Sequence, residues 1–322
     1  MKNICLAFII VAVALFNTAC NPPNSGYAND SKDSVIKAEK IIKWLKSGKN
    51  VVLKNKTIVG SLDFTNAYAV NKNIQVSSAY VNTELNFINC VFQDSVSAFS
   101  TDKDGLNFVT IFERNVCFLN CEFAKGVNFK QSDFRGRANF DQCQFRGAVS
   151  FDGTNFRTGT SFCSSNFHGE VSFVSSVFNG RTNFLKTFFR ESLVCQFTRF
   201  NDYTMFADSY FYGYTEFSKI HAPCSVDFTN SKFLGRSLFT KSVYIGGLKI
   251  NKCEFKKGLS IIYNLFVRNL EMFKAQLDGA ILYKNNLFVS QPNFSEIQHG
   301  DNYKLENANN SIIPQQTLNS TL

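Results

Sequence analysis

The stretch ANFDQCQFRGAVSFDGTNF, residues 138–156, sets phenylalanine at 140, 145, 151 and 156, with gaps of five, six and five filled mostly by small or polar residues. The spacing continues in both directions. One series steps by eleven from Phe118 through Phe129, Phe140 and Phe151 to Ile250, Ile261, Met272 and Tyr283. A second steps by eleven from Phe123 through Phe134, Phe145 and Phe156 to Phe255, Phe266, Leu277 and Phe288. Only Ala222 in these series is not a sizeable apolar residue, and the chain of 322 residues holds 36 phenylalanines against one tryptophan. Self-similarity at a fixed period is the mark of a repeat architecture.

Neither 3.6 nor 2 divides this period, so it is neither an amphipathic helix nor one long strand. The residue two before each aromatic is small or β-branched: Ala138, Cys143, Val149, Thr154, Thr160. The residue just before it is polar: Asn139, Gln144, Ser150, Asn155. In extended backbone, positions i and i−2 face one way and i−1 the other. Each unit therefore reads as a short strand with a small residue and an aromatic turned inward, followed by a corner. Gly136, Gly147, Gly169 and Gly180 fall two after an aromatic, where a corner with positive φ is expected.

Segments such as ANF (138–140), VNF (127–129), SNF (165–167) and TNF (182–184) resemble the phenylalanine-rich variety of pentapeptide-repeat proteins, over about residues 62–288. The resemblance implies an all-β solenoid, a right-handed four-sided parallel β-helix. The units here alternate five and six rather than holding to five. Four of them sum to one coil, so residues 22 apart should stack, at roughly the 4.8 Å strand spacing. No coil buries enough surface to stand alone, and stability resides at the interfaces between neighbours.

The ten cysteines would suggest disulfides in an exported chain. Cys90, Cys121, Cys143 and Cys253, however, each precede an inward aromatic by two, and are expected inside as small fillers. Cys121 and Cys143 fall within bridging distance on this register, yet their side chains would run parallel, so both states stay open. No C-x-x-C spacing occurs, which argues against a metal site, and no cofactor motif is present.

The N-terminus reads as an export signal over 1–20: Lys2, then the apolar run ICLAFIIVAVALF (4–16), then NTAC (17–20). This resembles a bacterial lipoprotein signal, with Cys20 as the lipidated residue, although Asn17 stands where that signal usually has Leu. An ordinary cleaved signal and an uncleaved anchor are the other readings. Residues 21–32 suit a flexible tether. A helix over 33–48 has an apolar stripe of Val35, Ala38, Ile41, Ile42 and Leu45, with Gly48 as its stop. It is expected to cap the first coil, because open solenoid ends need cover. The rival reading lays it on an anionic membrane through Lys37, Lys40, Lys43 and Lys46. The repeat array is placed at 49–289, with a loop excursion at about 93–107 and a loose polar tail over 290–322. The C-terminal end would be closed by those residues or by a second copy, giving a homodimer.

No catalytic set emerges. Asp141 and Asp152 lie eleven apart, and the residues 22 beyond them, Cys163 and Val174, are not acidic. His168, His221 and His299 share no spacing. The expectation is a non-enzymatic protein. The exposed pattern is basic: Arg135 and Arg157 on one side with Arg137 and Arg181 nearby, and Arg146, His168 and Arg190 on the opposite side. Two functions are in view. One is a scaffold, lipid-anchored to the membrane of a bacterial cell envelope, that presents flat faces to a protein partner. The other is a polyanion binder, taking acidic glycan or lipid through the arginines. Some pentapeptide-repeat proteins mimic DNA and occupy type II topoisomerases. A net charge of +9 and an export signal argue against that role and against nucleic acid as ligand.

Overall fold

The computed structural model describes residues 27–28, 33–67, 71–72 and 76–314. The signal segment 1–20 with Cys20 lies outside them, as does the proposed tether apart from Tyr27–Ala28, a short strand paired parallel to Asn50–Val51. The described chain is an all-β parallel solenoid with a single α-helix, α1 (Ala38–Lys46), near its start.

Four parallel sheets, of eleven to thirteen strands each, run the length of the array, and the chain enters them in turn. Ala138–Asn139 belongs to sheet A, Gln144–Phe145 to sheet B, Val149–Ser150 to sheet C and Asn155–Phe156 to sheet D. Through the regular part of the array each strand pairs with the one 22 residues on, as in Ala138↔Thr160 and Phe145↔Phe167, while the first coils are longer, as in Val51↔Leu85. The aromatics stack in columns: the Phe140 and Phe162 rings lie 5.0 Å apart at 6°, and Phe162 and Phe184 lie 4.9 Å apart at 3°. Between columns the rings meet edge to face, as Phe151 does with Phe162 at 5.4 Å. Stacked and T-shaped contacts both suit the ring quadrupole.

The corners differ from expectation. Gly136, Gly147, Gly169 and Gly180 do not take positive φ. A Cβ on Gly180 would sit 2.5 Å from the backbone carbon of Thr158 in the coil below, so glycine is there for close approach. Positive φ occurs at the other corners, two after the first-series aromatic, and mostly without glycine: Gln142, Ser164, Lys186 and Phe197 have φ of 59°, 58°, 56° and 57°. An L-residue pays about 1–2 kcal/mol in that region, while asparagine is tolerated better. Lys252, at φ 55°, is a clean case. We expect Lys252→Asn to raise stability by up to about 1 kcal/mol in urea unfolding.

The small residues ahead of the second-series aromatics also do more than fill space. The carbonyls of most first-series residues accept a side-chain hydrogen bond from the next coil, since a buried carbonyl must be paired. Ser165 Oγ donates to Phe140 O at 2.5 Å, Thr187 Oγ1 to Phe162 O at 2.9 Å and Ser209 Oγ to Phe184 O at 2.7 Å. Cys143 and Cys253 make the weaker thiol version, to Phe118 O at 3.1 Å and Phe228 O at 3.0 Å. Cys121 and Cys143 are free thiols, and burial pushes the Cys121 thiol up from its ordinary value.

The helix expected over 33–48 is shorter. Val35–Lys37 is instead a strand, paired to Thr57–Val59. Its alternation buries Ile36 and leaves Val35 50% exposed, so Val35 leaves the predicted stripe. Ala38, Ile41 and Leu45 of α1 are buried in the continuous core, while Lys40, Lys43 and Lys46 are exposed. The apolar face of α1 is thus spent on the solenoid.

The excursion expected at 93–107 is also narrower. Val96–Ser97 stays in the coil, paired to both Leu62–Asp63 and Val127–Asn128. The insertion is a hairpin, Phe99–Thr101 antiparallel to the start of Asn107–Phe112. One coil earlier Asn71–Lys72 folds antiparallel onto Val76–Val81, and the long arms of the two hairpins pair in parallel, Asn107↔Val76 through Phe112↔Val81. The tail is not loose over its described part. Gln298–His299, Lys304–Ala308 and Ser311–Ile312 add strands to sheets B, C and D. Asparagine serves here where serine does earlier: Asn310 Nδ2 donates to Tyr283 O at 2.8 Å.

Candidate interaction faces

The interior is filled with apolar side chains and small polar ones paired to core carbonyls, so the candidate residues lie on the outer faces. Asp141 and Asp152 are not poised for it. Asp141 Oδ1 accepts the Cys163 amide at 2.7 Å and the Ser161 hydroxyl at 2.5 Å, and Asp152 Oδ1 accepts the Val174 amide at 3.0 Å. Both carboxylates clamp one coil to the next. Burial raises the Asp141 pKa from its ordinary value, partly offset by those donors. Among the described residues no group of three or more His, Cys, Asp or Glu is arranged to hold a metal, and no described helix is long and apolar enough to cross a membrane.

Arg135 and Arg157 do come together on sheet D, one coil apart, but Asp133 bridges them and Glu113 lies on the other side of Arg135. Arg135 reaches Glu113 at 2.8 Å and Asp133 at 3.2 Å, while Arg157 donates to both oxygens of Asp133 at 2.7 and 3.0 Å. Both guanidinium pKa values rise, Asp133 being the main cause in each. Two cations against two anions leave no net positive charge at this spot. Arg137 and Arg181 stand instead at the corner leading into sheet A, just ahead of the strands that begin at Ala138 and Thr182. The four arginines are therefore not one site.

Sheet B holds the other set. Arg146 and Arg190 follow the inward Phe145 and Phe189, with His168 on the coil between. Arg146 Nη1 donates to His168 Nε2 at 3.1 Å and Arg146 Nε to Glu122 at 3.1 Å, while Arg190 Nε bonds the Asn166 side chain at 3.2 Å. Desolvation, then Arg146 and Arg190, lower the His168 pKa from its ordinary value.

Beside these residues stands an aromatic ladder that the sequence reading passed over. Phe188 and Tyr210 stack at 5.1 Å, and Tyr210 and Tyr212 at 6.2 Å. Arg190 lies over the Tyr212 ring at 5.1 Å, and Lys232 over Tyr210 at 5.7 Å. Phe188, Tyr210 and Lys232 recur at 22, the same interval that revealed the core, but at outward positions. Further along, Lys256 bonds Glu254 at 2.6 Å and is the main cause of that carboxyl's lowered pKa. The outer face of sheet C, by contrast, is a shallow trough of small side chains such as Ser97, Gly126, Ser150 and Ser172.

A family model described as pentapeptide repeats, in nine copies, matches residues 110–155 and 140–187. No curated protein matches the chain. No solved structure matches it either. The 22-residue pairing runs unbroken through the matched segment and on through Leu248↔Leu270. On that match and that geometry together, residues 110–187 are built of pentapeptide repeats.

Proposed function

We propose that this chain is a non-catalytic interaction scaffold of the bacterial cell envelope, held to a membrane by a lipid on Cys20, and that it binds a protein partner through the outer face of sheet B. One observation carries the reading. Arginine and tyrosine, the residues enriched at protein–protein hot spots, are gathered there on a flat and rigid sheet: Arg146, Arg190, Tyr210 and Tyr212. Arg190 already lies over the Tyr212 ring, which stacks on Tyr210, and Arg146 is held by Glu122 and His168. Little side-chain entropy remains to be lost on binding, which favours affinity.

The polyanion reading gains less support. Arg135 and Arg157 are committed to Glu113 and Asp133, and Arg146 to Glu122. The topoisomerase role rests on family likeness alone, and nothing on these faces favours it.

The test is chemical cross-linking of the anchored protein in its own membranes, with identification of the captured protein. A R190A/Y212A chain should lose at least tenfold of that capture while unfolding at an unchanged urea midpoint. Undiminished capture by the variant would move the interface elsewhere. Mass spectrometry of the mature N-terminus tests the anchor, and an unmodified residue other than Cys20 would contradict it.

A further inference from the structure

Sheet D changes character along its length. Its first half carries the paired charges at Glu113, Asp133, Arg135 and Arg157. Past Arg199 and His221 its outer positions become aliphatic. Val243, Leu265 and Leu287 precede the inward Tyr244, Phe266 and Phe288, and Ile245, Val267 and Val289 follow them. All six are at least partly exposed, Leu287 to 42%. This two-column ribbon has a basic and aromatic border: Lys219, Lys241 and the 59%-exposed Tyr263 at the corner before it, and Arg268 at the corner after it. Neither Asp nor Glu occurs in residues 219–225, 241–247, 263–269 or 285–292.

We infer that this half of sheet D is a membrane-contacting surface that lays the solenoid side-on against an anionic bilayer. The ribbon spans three coils, roughly 14 Å by 7 Å from strand geometry. A stable protein interface needs about 800 Å² on each partner, several times that footprint. The ribbon also lacks polar groups that would fix a partner's register. An aliphatic strip with cationic and tyrosine borders and no carboxylate suits the acyl boundary and headgroups of a lipid surface, where neither shape nor register is required. Such a patch binds weakly by itself and acts as the second of two membrane signals. Sheets B and D are separated by sheet C on one side and sheet A on the other, so contact through D leaves the sheet B face open. The inference stands on the ribbon alone and does not require the partner proposed above.

The experiment reads orientation, so attachment through the N-terminal segment does not mask it. Full-length chains in the Trp44→Phe background carry one reporter, Tyr263→Trp beside the ribbon or Tyr212→Trp on sheet B. Each is mixed with phosphatidylglycerol vesicles whose acyl chains are brominated. The 263 reporter should be quenched at least twofold more than the 212 reporter. I245D/V267D should abolish the difference while keeping the circular dichroism of the parent, and K219Q/K241Q should weaken it most at low salt. Equal quenching at both positions, or none at either, overturns the inference. So does burial of the 263 reporter without vesicles in a stable dimer, which would assign the ribbon to a second copy.

Discussion

Phe162→Ala is expected to cost about 3–5 kcal/mol, the range for an aromatic removed from a core that cannot collapse around the gap. The ring has Phe140 at 5.0 Å on one face and Phe184 at 4.9 Å on the other, with Phe151 at 5.4 Å edge-on. All of these are fixed by strand pairing, so none moves in cheaply. The same change at Phe288, whose ring stacks on Phe266 at 5.2 Å and faces Ile312 beyond, should cost less, because Ile312 is itself 53% exposed. Urea unfolding of the two variants checks both values. Equal losses would mean that the coils do not depend on two-sided stacking, contrary to the nearest-neighbour energetics of a solenoid.

Gly235→Ala should be nearly as damaging, by another route. Its Cβ would fall 2.0 Å from Gly213 O and 2.4 Å from Gly213 C. Backbone is the obstacle, and no side chain can step aside. The two coils must part at that corner, breaking the adjoining ladder, for about 3 kcal/mol or more. Gly126→Ala is the internal control: the nearest atom there is Ala148 O at 3.4 Å, and its effect should stay within about 0.5 kcal/mol. If both substitutions were equally mild, the close stacking of glycine corners would be wrong.

These two predictions rest on features of different legibility. The aromatic columns were legible because each slot demands a large apolar side chain, so the demand is written at every eleventh residue. The corners were not. Glycine at 136 and 180 suggested positive φ, yet the positive-φ corners hold Gln142, Lys186 and Phe197, and glycine instead marks where backbones crowd. Local sequence does not record the approach of a chain segment 22 residues away.

The hydroxyl ladder was half visible. Cys143 and Thr154 read as small in the sequence, and their smallness conceals that each donates to a buried carbonyl. The ends were misjudged for a related reason. Polar composition over 290–322 suggests a loose tail, but Asn310 continues the hydrogen-bonding column of Ser242, Asn264 and Asn286. The sequence groups Arg135 with Arg157, but it does not show the carboxylates that neutralise them, Glu113 and Asp133, nor that Arg137 and Arg181 stand apart at the corner into sheet A. The Phe188–Tyr210 ladder and the sheet D ribbon follow the same 22-residue rule at outward positions, where a fold needs nothing in particular. Regularity at such positions is the signal most worth seeking in other solenoids of this kind.

The central claim is the layer repeat, and spin-label proximity tests it most directly. Labels on non-natural residues at 150 and 172, partners in sheet C, should show strong dipolar broadening in continuous-wave spectra. Labels at 150 and 161, which belong to sheets C and A, should show none. Broadening in the 150/161 pair, or its absence in the 150/172 pair, would contradict the account.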